Sequence, residues 1–479
     1  MGNSKKVFGN MIWRFAERSG AQIVAFIVSI VLARLLSPKE YGTLALITVF
    51  TSISQVFVDS GLGTALIQKK DADELDFSTI FYSNIVLCAI IYGVLFWAAP
   101  YISMFYNDSS LVPMIRVLAI TILASGIKNV EQAYVSKNLI FKKFFYSTLV
   151  GTITAAVCGI VMAYCGFGVW ALVAQQIINV SIDTMILWFT VKWRPQKCFS
   201  FARLKELFSY GWKLLLSALL EAVYTDIRQL LIGKIYTKED LAYYNQGNRF
   251  PAVLVGNINT SIDSVLLPVM SNAQDKKEVV KGMTRKAITT SIYVMAPLMI
   301  GMAVIAPDLI KILLTDKWLM CVPYLRVLCI SYMFWPIHTA NLNAIKAMGR
   351  SDIYLKLEII KKCIGMALLI FTVHISVFAI TCSLLLSNVI SQVINTWPNR
   401  NLLNYTYLDQ IKDIMPNLLL ALIMGVGVYS ISFINMNYII RLVIQIIVGM
   451  FIYVLGSIVT KNEAFGYVLD ILKNLKNGR

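Results

Sequence analysis

Residues 79–105 read TIFYSNIVLCAIIYGVLFWAAPYISMF, twenty-seven positions with no charged side chain. Wound as a helix at 1.5 Å per residue, such a run is about 40 Å long, more than the roughly 30 Å hydrocarbon core of a bilayer. Apolar runs of 18 or more residues recur along nearly the whole chain. In hydrocarbon every backbone N–H and C=O must be satisfied, and a helix does this within the segment itself. A transmembrane barrel would show shorter alternating strands, and the sequence has none of that pattern. Composition agrees: of 479 residues, 58% are hydrophobic and 14% charged, against about 25% charged in a soluble globular protein. The expectation is an all-α polytopic membrane protein with about fourteen transmembrane helices. Their approximate limits are 11–36, 41–67, 79–105, 111–136, 145–165, 167–191, 207–234, 241–270, 286–314, 318–347, 353–375, 377–397, 412–434 and 438–460.

The net charge of +17 does not point to nucleic acid, because Lys and Arg cluster in alternate short loops, the pattern of cytoplasmic membrane flanks. Lys5 and Lys6, Lys69 and Lys70, Lys142 and Lys143, Lys276 and Lys277, and Lys346 and Arg350 all fall on one side, whereas the loops 106–111 and 165–168 carry no basic residue. Both termini are therefore expected in the cytoplasm. MGNSKKVFGNMIWR leads straight into the first span, which is expected to act as its own insertion signal. No loop exceeds about twenty residues, so no soluble domain is expected. The eight cysteines sit mostly in apolar runs without a CxxC and read as small core residues, not metal ligands. No cofactor is expected.

Two nonapeptides echo each other: VPMIRVLAI (112–120) and VPYLRVLCI (322–330), offset by 210. Further matches follow in order at similar offsets. LLSPKEYGTL (35–44) faces IYTKEDLAYY (235–244), Asp59-Ser60 faces Asp263-Ser264, Ala99-Pro100 faces Ala306-Pro307, and GVWAL (168–172) faces SVFAI (376–380). The chain thus reads as two parallel six-helix lobes, 1–198 and 199–404, followed by two unrepeated C-terminal helices within 405–479. Parallel repeats about an axis along the membrane normal describe a transporter with its substrate between the lobes. Ser37-Pro38-Lys39-Glu40 reads as a capping box with proline at the first helical position, and 237–240 as an imperfect copy. Arg116 and Arg326 repeat near an interface and read as snorkelling anchors.

ARLLSPKEYGTLAL (33–46) followed by VDSGLGTALIQKK (58–70) resembles the polysaccharide transporters of the MOP exporter superfamily, the Wzx-type lipid-linked oligosaccharide flippases. The resemblance is strongest over the first two spans and extends to the whole chain in span count and lobe layout. It implies a MOP/MATE-like fold in a bacterial cytoplasmic membrane and a flippase that turns a polyprenyl-diphosphate-linked glycan from the inner to the outer leaflet by alternating access. O-antigen, capsule and exopolysaccharide repeat units are the glycans in question. A monomer among membrane lipids is expected, with polysaccharide polymerase or export machinery as its partner. The alternative within the superfamily is a cation- or proton-coupled drug antiporter.

An ionisable group at mid-membrane costs about 2.5–3.5 kcal/mol even on the lenient insertion scale, so such groups should face a wet cavity or one another. Polar residues without a twin in the other repeat are the better functional candidates. Arg18, Gln22, Ala25 and Ser29 form one stripe on the first span, with Arg18 placed to receive a diphosphate. On the seventh span Glu221, Tyr224, Thr225 and Arg228 share a face, Glu221 being a candidate proton or cation site, with Asp226 beside it. The eighth carries Asn245, Asn248, Arg249, Ala252, Gly256, Asn259 and Asp263 down one side, a track suited to sugar hydroxyls, with Arg249 as an anion contact. The sixth and twelfth offer amide stripes: Gln176, Asn179 and Asp183, and Asn388, Ser391, Gln392 and Asn395. For these, interhelical hydrogen bonding is the competing reading. Substrate binding is thus expected at Arg18, Gln22, Arg228, Arg249, Asn179, Asn388 and Gln392, and ion coupling at Glu221 and Asp226. Asp59 and Asp263, being repeated, suit capping or pairing. Lys128 and Glu131, three apart on one helix, are expected to pair. His338 and His374 read as core or boundary residues.

No GxxxxGK[ST] is present for an ATP-driven pump, and the loops are too short for the active site of a glycosyltransferase or polymerase, so the chain is not expected to be an enzyme.

Overall fold

The computed structural model describes residues 20–59, 62–69, 71–138 and 140–476. They are helical almost throughout, as the apolar runs require. In chain order the helices are α1 (Gly20–Leu35), α2 (Pro38–Asp59), α3 (Leu62–Gln68), α4 (Glu74–Tyr106), α5 (Leu111–Leu118), α6 (Ile120–Lys137), α7 (Lys142–Tyr164), α8 (Val169–Thr190), α9 (Phe201–Ile235) and α10 (Lys238–Ser271). They continue as α11 (Lys277–Leu314), α12 (Val322–Met333), α13 (Trp335–Ala347), α14 (Ser351–Thr372), α15 (Val377–Thr396), α16 (Asn399–Leu403), α17 (Tyr407–Ile431), α18 (Tyr438–Val459) and α19 (Glu463–Lys476), with a short 3-10 turn before α12. Among the described residues eleven spans are long and apolar enough to cross a membrane. The other three expected spans are also helical. α1 is described only from Gly20, while α9 and α14 carry charged side chains within the apolar stretch itself, including Glu221, Asp226 and Arg228 on α9 and Glu358, Lys361 and Lys362 on α14. The chain is a multi-pass membrane protein of two compact units, Met1–Ala242 and Tyr243–Arg479.

In the first unit the stretch 36–42 is a packing device. Leu36 is buried. Ser37 and Glu40 close the expected capping box, with Ser37 N donating to Glu40 Oε2 at 2.6 Å and Glu40 N to Ser37 Oγ at 3.4 Å. Tyr41 donates its hydroxyl to the Ser29 carbonyl on α1 at 3.3 Å. Gly42 lies against the Lys238 carbonyl so closely that a Cβ would stand 1.8 Å from that oxygen, and only glycine permits the contact. The supposedly imperfect box at 237–240 is complete: Thr237 Oγ1 bonds Asp240 Oδ2 at 2.7 Å and accepts Asp240 N at 3.1 Å. Lys238 also pairs with Asp108 of the loop after α4. α9 packs along α2 and α4.

The arginines of the two nonapeptides have a function in folding that their spacing did not reveal. Pro100 lies inside α4 and Pro307 inside α11. A proline has no N–H to give the carbonyl four residues back, so Phe96 O and Ala303 O lose their intrahelical donors. Arg116 Nε donates to Phe96 O at 3.2 Å, and Arg326 Nε to Ala303 O at 3.1 Å. The Arg116 guanidinium also lies 4.0 Å from the Phe96 ring centroid. Proline and arginine, separate matches in the sequence, are two halves of one device, present once in each unit. Arg116→Ala should destabilise the chain by about 1–2 kcal/mol, and Pro100→Ala, which returns the N–H, should remove most of that loss. Thermal unfolding of the two single variants and the double variant in detergent forms the cycle; strictly additive effects would contradict the pairing.

The second unit has α11 at its centre, packed by α12, α13, α17 and α18. The two unrepeated spans are thus bound to the repeat, and Arg441 at the start of α18 holds the buried Asp308 of α11 through Nε at 2.6 Å and through a second guanidinium nitrogen. α19 was not foreseen as a helix. Asn462 joins it to α17, donating to Asn417 Oδ1 at 2.7 Å and accepting Ala464 N at 2.9 Å, and Lys286 of α11 lies 3.5 Å from the Tyr467 ring centroid.

Candidate functional site

The expected site residues divide between the two units. Arg18 lies outside the described residues. In the first unit Gln22 and Asn179 are half-buried, Glu221 is exposed and Arg228 is buried. Glu221 and Arg228 therefore differ in surroundings although two helical turns place them on one side of α9. Arg228 sets its guanidinium 5.4 Å from the Tyr224 ring centroid, and its buried Nε has no hydrogen-bond acceptor. Asp226 accepts from Ser52 Oγ of α2 at 2.8 Å and from Gln229 Nε2 at 3.1 Å. In the second unit Arg249 is half-buried on α10, whose Asn248 accepts from Tyr332 on α12 at 2.7 Å.

The amide stripe of α15 makes interhelical bonds. Asn388 donates to Ser331 Oγ at 2.6 Å, and Asn395 bonds His338 Nδ1 at 2.9 Å. Gln392 is buried with its Nε2 unpartnered. A turn further on, Thr396 enters a network in which Gln410 Nε2 donates to Asn341 Oδ1 at 2.9 Å and Asn399 Nδ2 donates to the same oxygen at 2.7 Å. His374 is exposed.

The local pairing of Lys128 with Glu131 does not form. α6 packs on α8, and Lys128 Nζ binds Asp183 Oδ2 at 2.6 Å instead. Glu131 is buried with neither oxygen hydrogen-bonded, its nearest cation being Arg194 at 3.7 Å. A tertiary partner with a shorter bond outcompetes an (i, i+3) neighbour worth a few tenths of a kcal/mol. Lys128 also borders a cavity of about 350 Å3 with Asp59, Gln55, Asn129 and Gln132 on its wall. Asp59 accepts from Gln55 Nε2 at 3.0 Å within its own helix. This polar chamber was invisible in the sequence because its wall is assembled from α2, α3, α6 and α7, and a face of α6 becomes a wall only when the other helices stand opposite it.

The second unit has a larger chamber of opposite character. An open pocket of about 550 Å3 is bounded by α11, α17 and α18 together with Leu254 of α10, and its wall is apolar apart from Gln445 and the tyrosines 293 and 453. Residues 31–323, more than half of the chain, match the family model described as polysaccharide biosynthesis protein. The chain belongs to that family. It is 24% identical to the teichuronic acid biosynthesis protein TuaB of Bacillus subtilis (strain 168), the alignment covering 94% of this chain and 95% of that one. The fold is that of the lipid II flippase MurJ in an inward closed conformation, with a TM-score of 0.75 at 14% identity over 94% of this chain and 99% of the other. An inward-facing multidrug resistance MATE family transporter of the MOP superfamily matches with a TM-score of 0.63 at 14% identity, over 81% of this chain and 98% of the other. The first 404 residues make up only 84% of the sequence, so the 94% match necessarily takes in residues of the C-terminal spans. The MOP/MATE-like helical fold that the resemblance implied is thus the fold observed, with α17 and α18 as further helices.

Proposed function

We propose that the chain is a flippase of a bacterial cytoplasmic membrane, moving a polyprenyl-diphosphate-linked oligosaccharide from the inner to the outer leaflet by alternating access between lobes 1–198 and 199–404. Both termini lie in the cytoplasm, and residues 405–479 add the two extra spans and a cytoplasmic tail. The observation that carries this reading is the coincidence, in one chain, of a polysaccharide-biosynthesis family match with the fold of the lipid II flippase MurJ. The apolar chamber bounded by α11, α17 and α18 supports it, because an isoprenoid tail needs apolar surface beside a polar path. Arg18, Arg228 and Arg249 meet the diphosphate, and Gln22, Asn179, Asn388 and Gln392 the glycan. Glu221 and Asp226 respond to the coupling ion, Asp226 being already held by hydroxyl and amide donors. The protein works as a monomer, makes and breaks no covalent bond of its cargo, and hands the glycan to polymerase or export machinery on the far side.

Deleting the gene tests this in the cell. Lipid-linked repeat units should accumulate on the cytosolic leaflet while their synthesis continues. Normal surface polysaccharide in the deletion strain, in the absence of a second flippase gene, would contradict the assignment.

A further inference from the structure

A small polar cavity in the second unit lies between α10 and α13. Its volume is about 260 Å3, and its wall includes Asn259 and Asp263 from α10 and Thr339, Asn343 and Lys346 from α13. Asn343 is only 1% exposed, yet neither its Oδ1 nor its Nδ2 has a hydrogen-bond partner. Asn259 Oδ1 is likewise buried and unpartnered. Buried side-chain amides in folded proteins are almost always bonded. Here a donor pair and two acceptors sit unpaired on the wall of one cavity; among the described residues the other buried amides with an unpaired atom, Asn84, Gln392, Asn395, Asn399 and Gln445, leave one atom each, whereas Asn343 leaves both.

The charges on the wall narrow the ligand. Asp263 would attract a cation that Lys346 repels, and Lys346 an anion that Asp263 repels. One charge of each sign leaves a site with no net preference for an ion but with strong acceptors and donors set among amides and a hydroxyl. That array suits neighbouring hydroxyls, each of which donates one hydrogen bond and accepts others. At about 30 Å3 per water the space corresponds to some eight or nine waters, room for one sugar ring and not for a whole repeat unit.

We propose that this cavity is a monosaccharide subsite, binding one ring of the glycan through its hydroxyls, with Asn343 as the central contact and Asp263 and Lys346 as flanking acceptor and donor. The proposal rests on the flippase reading for its biological cargo, but its chemistry is testable without transport. Lys346 stands in the last turn of α13, next to the basic segment around Arg350. The subsite thus lies toward the end of the span that the flanking charges assign to the cytoplasm, where cargo is loaded, and it selects the glycan before any movement across the membrane.

The test uses the full chain in nanodiscs and saturation-transfer NMR with methyl glycosides of glucose, galactose, mannose and N-acetylglucosamine as probes. At least one should receive saturation from the wild-type protein. Asn343→Leu, of similar size and without the unpaired amide, should keep the fold and its unfolding temperature while weakening that binding about tenfold or more. Asp263→Asn and Lys346→Met should each change which glycoside is preferred. Absence of transfer from every probe, or undiminished transfer in folded Asn343→Leu, overturns the subsite. If Asn343→Leu unfolds, Thr339→Cys gives the same answer through a bound glycoside slowing its alkylation by a maleimide; an unslowed reaction overturns the subsite too. A chain that binds glycosides but does not flip lipid-linked glycan would leave the subsite standing and remove the flippase reading.

Discussion

Lys128→Met should destabilise the chain by about 3–5 kcal/mol, the typical loss when one partner of a buried ion pair is removed. Asp183 is 5% exposed, and its Oδ1 has no other partner. Lys128, at 2.6 Å from its Oδ2, is the cation that pairs with it among the described residues. Lys128 also acts on Asp59 across the polar cavity, so its loss leaves two carboxylates facing one cation fewer. Asp183→Leu alone should be milder, because Lys128 keeps Asp59 and the cavity. The double variant Lys128→Met/Asp183→Leu should regain most of the lost stability, since an apolar pair of similar volume needs no compensation. Chemical unfolding of the four proteins in the same detergent measures this. A Lys128→Met variant as stable as the wild type would show that the pair is not closed in the membrane, and an equal loss in the double variant would show that the lysine stem, not its charge, matters.

The same lysine shows where the sequence stops being legible. Spacing on one helix favours Glu131, and nothing local announces an aspartate 55 residues later on a helix that packs beside it. The apolar runs, by contrast, place the helices correctly, because length and continuity of apolar character are properties of each segment alone. The capping boxes at 37–40 and 237–240 were readable for the same reason, because a box needs only four consecutive residues, whereas those at 73–76 and 406–409 lie outside the repeated motif that drew attention to the first two. The proline–arginine device lay halfway. Both of its parts repeat in the sequence, but the carbonyl that joins Pro100 to Arg116 becomes visible only when α5 lies against α4. Gly42 is similar: its place in a recurring motif was plain, and its cause, the Lys238 carbonyl, is 196 residues away.

For the candidate site the sequence delivered faces, not cavities. A helical stripe of amides is apparent in α15, yet two of its members, Asn388 and Asn395, bond neighbouring helices. In α10 the stripe that ends in Asn259 and Asp263 does border open space, but only with Asn343 and Lys346 from α13 does the chemistry of that space become defined. Asn343 does not stand out in its own segment, and Lys346 reads there only as a flanking basic residue. α19 escaped because a fourteen-residue amphipathic helix is too short and too polar to register as a span.

Flipping moves a charged headgroup between leaflets. A diphosphate leaving a negative compartment travels with the field, gaining about 2.3 kcal/mol per charge for each 100 mV. The direct measurement is reconstitution of the purified chain into vesicles that contain a fluorescent polyprenyl-diphosphate-linked oligosaccharide in the inner leaflet, followed by its appearance to a lectin added outside. Exposure should require the protein, far exceed the rate in empty vesicles, and accelerate when the interior is made negative. Exposure no faster than in protein-free vesicles, with correctly folded protein present, would contradict the flippase reading.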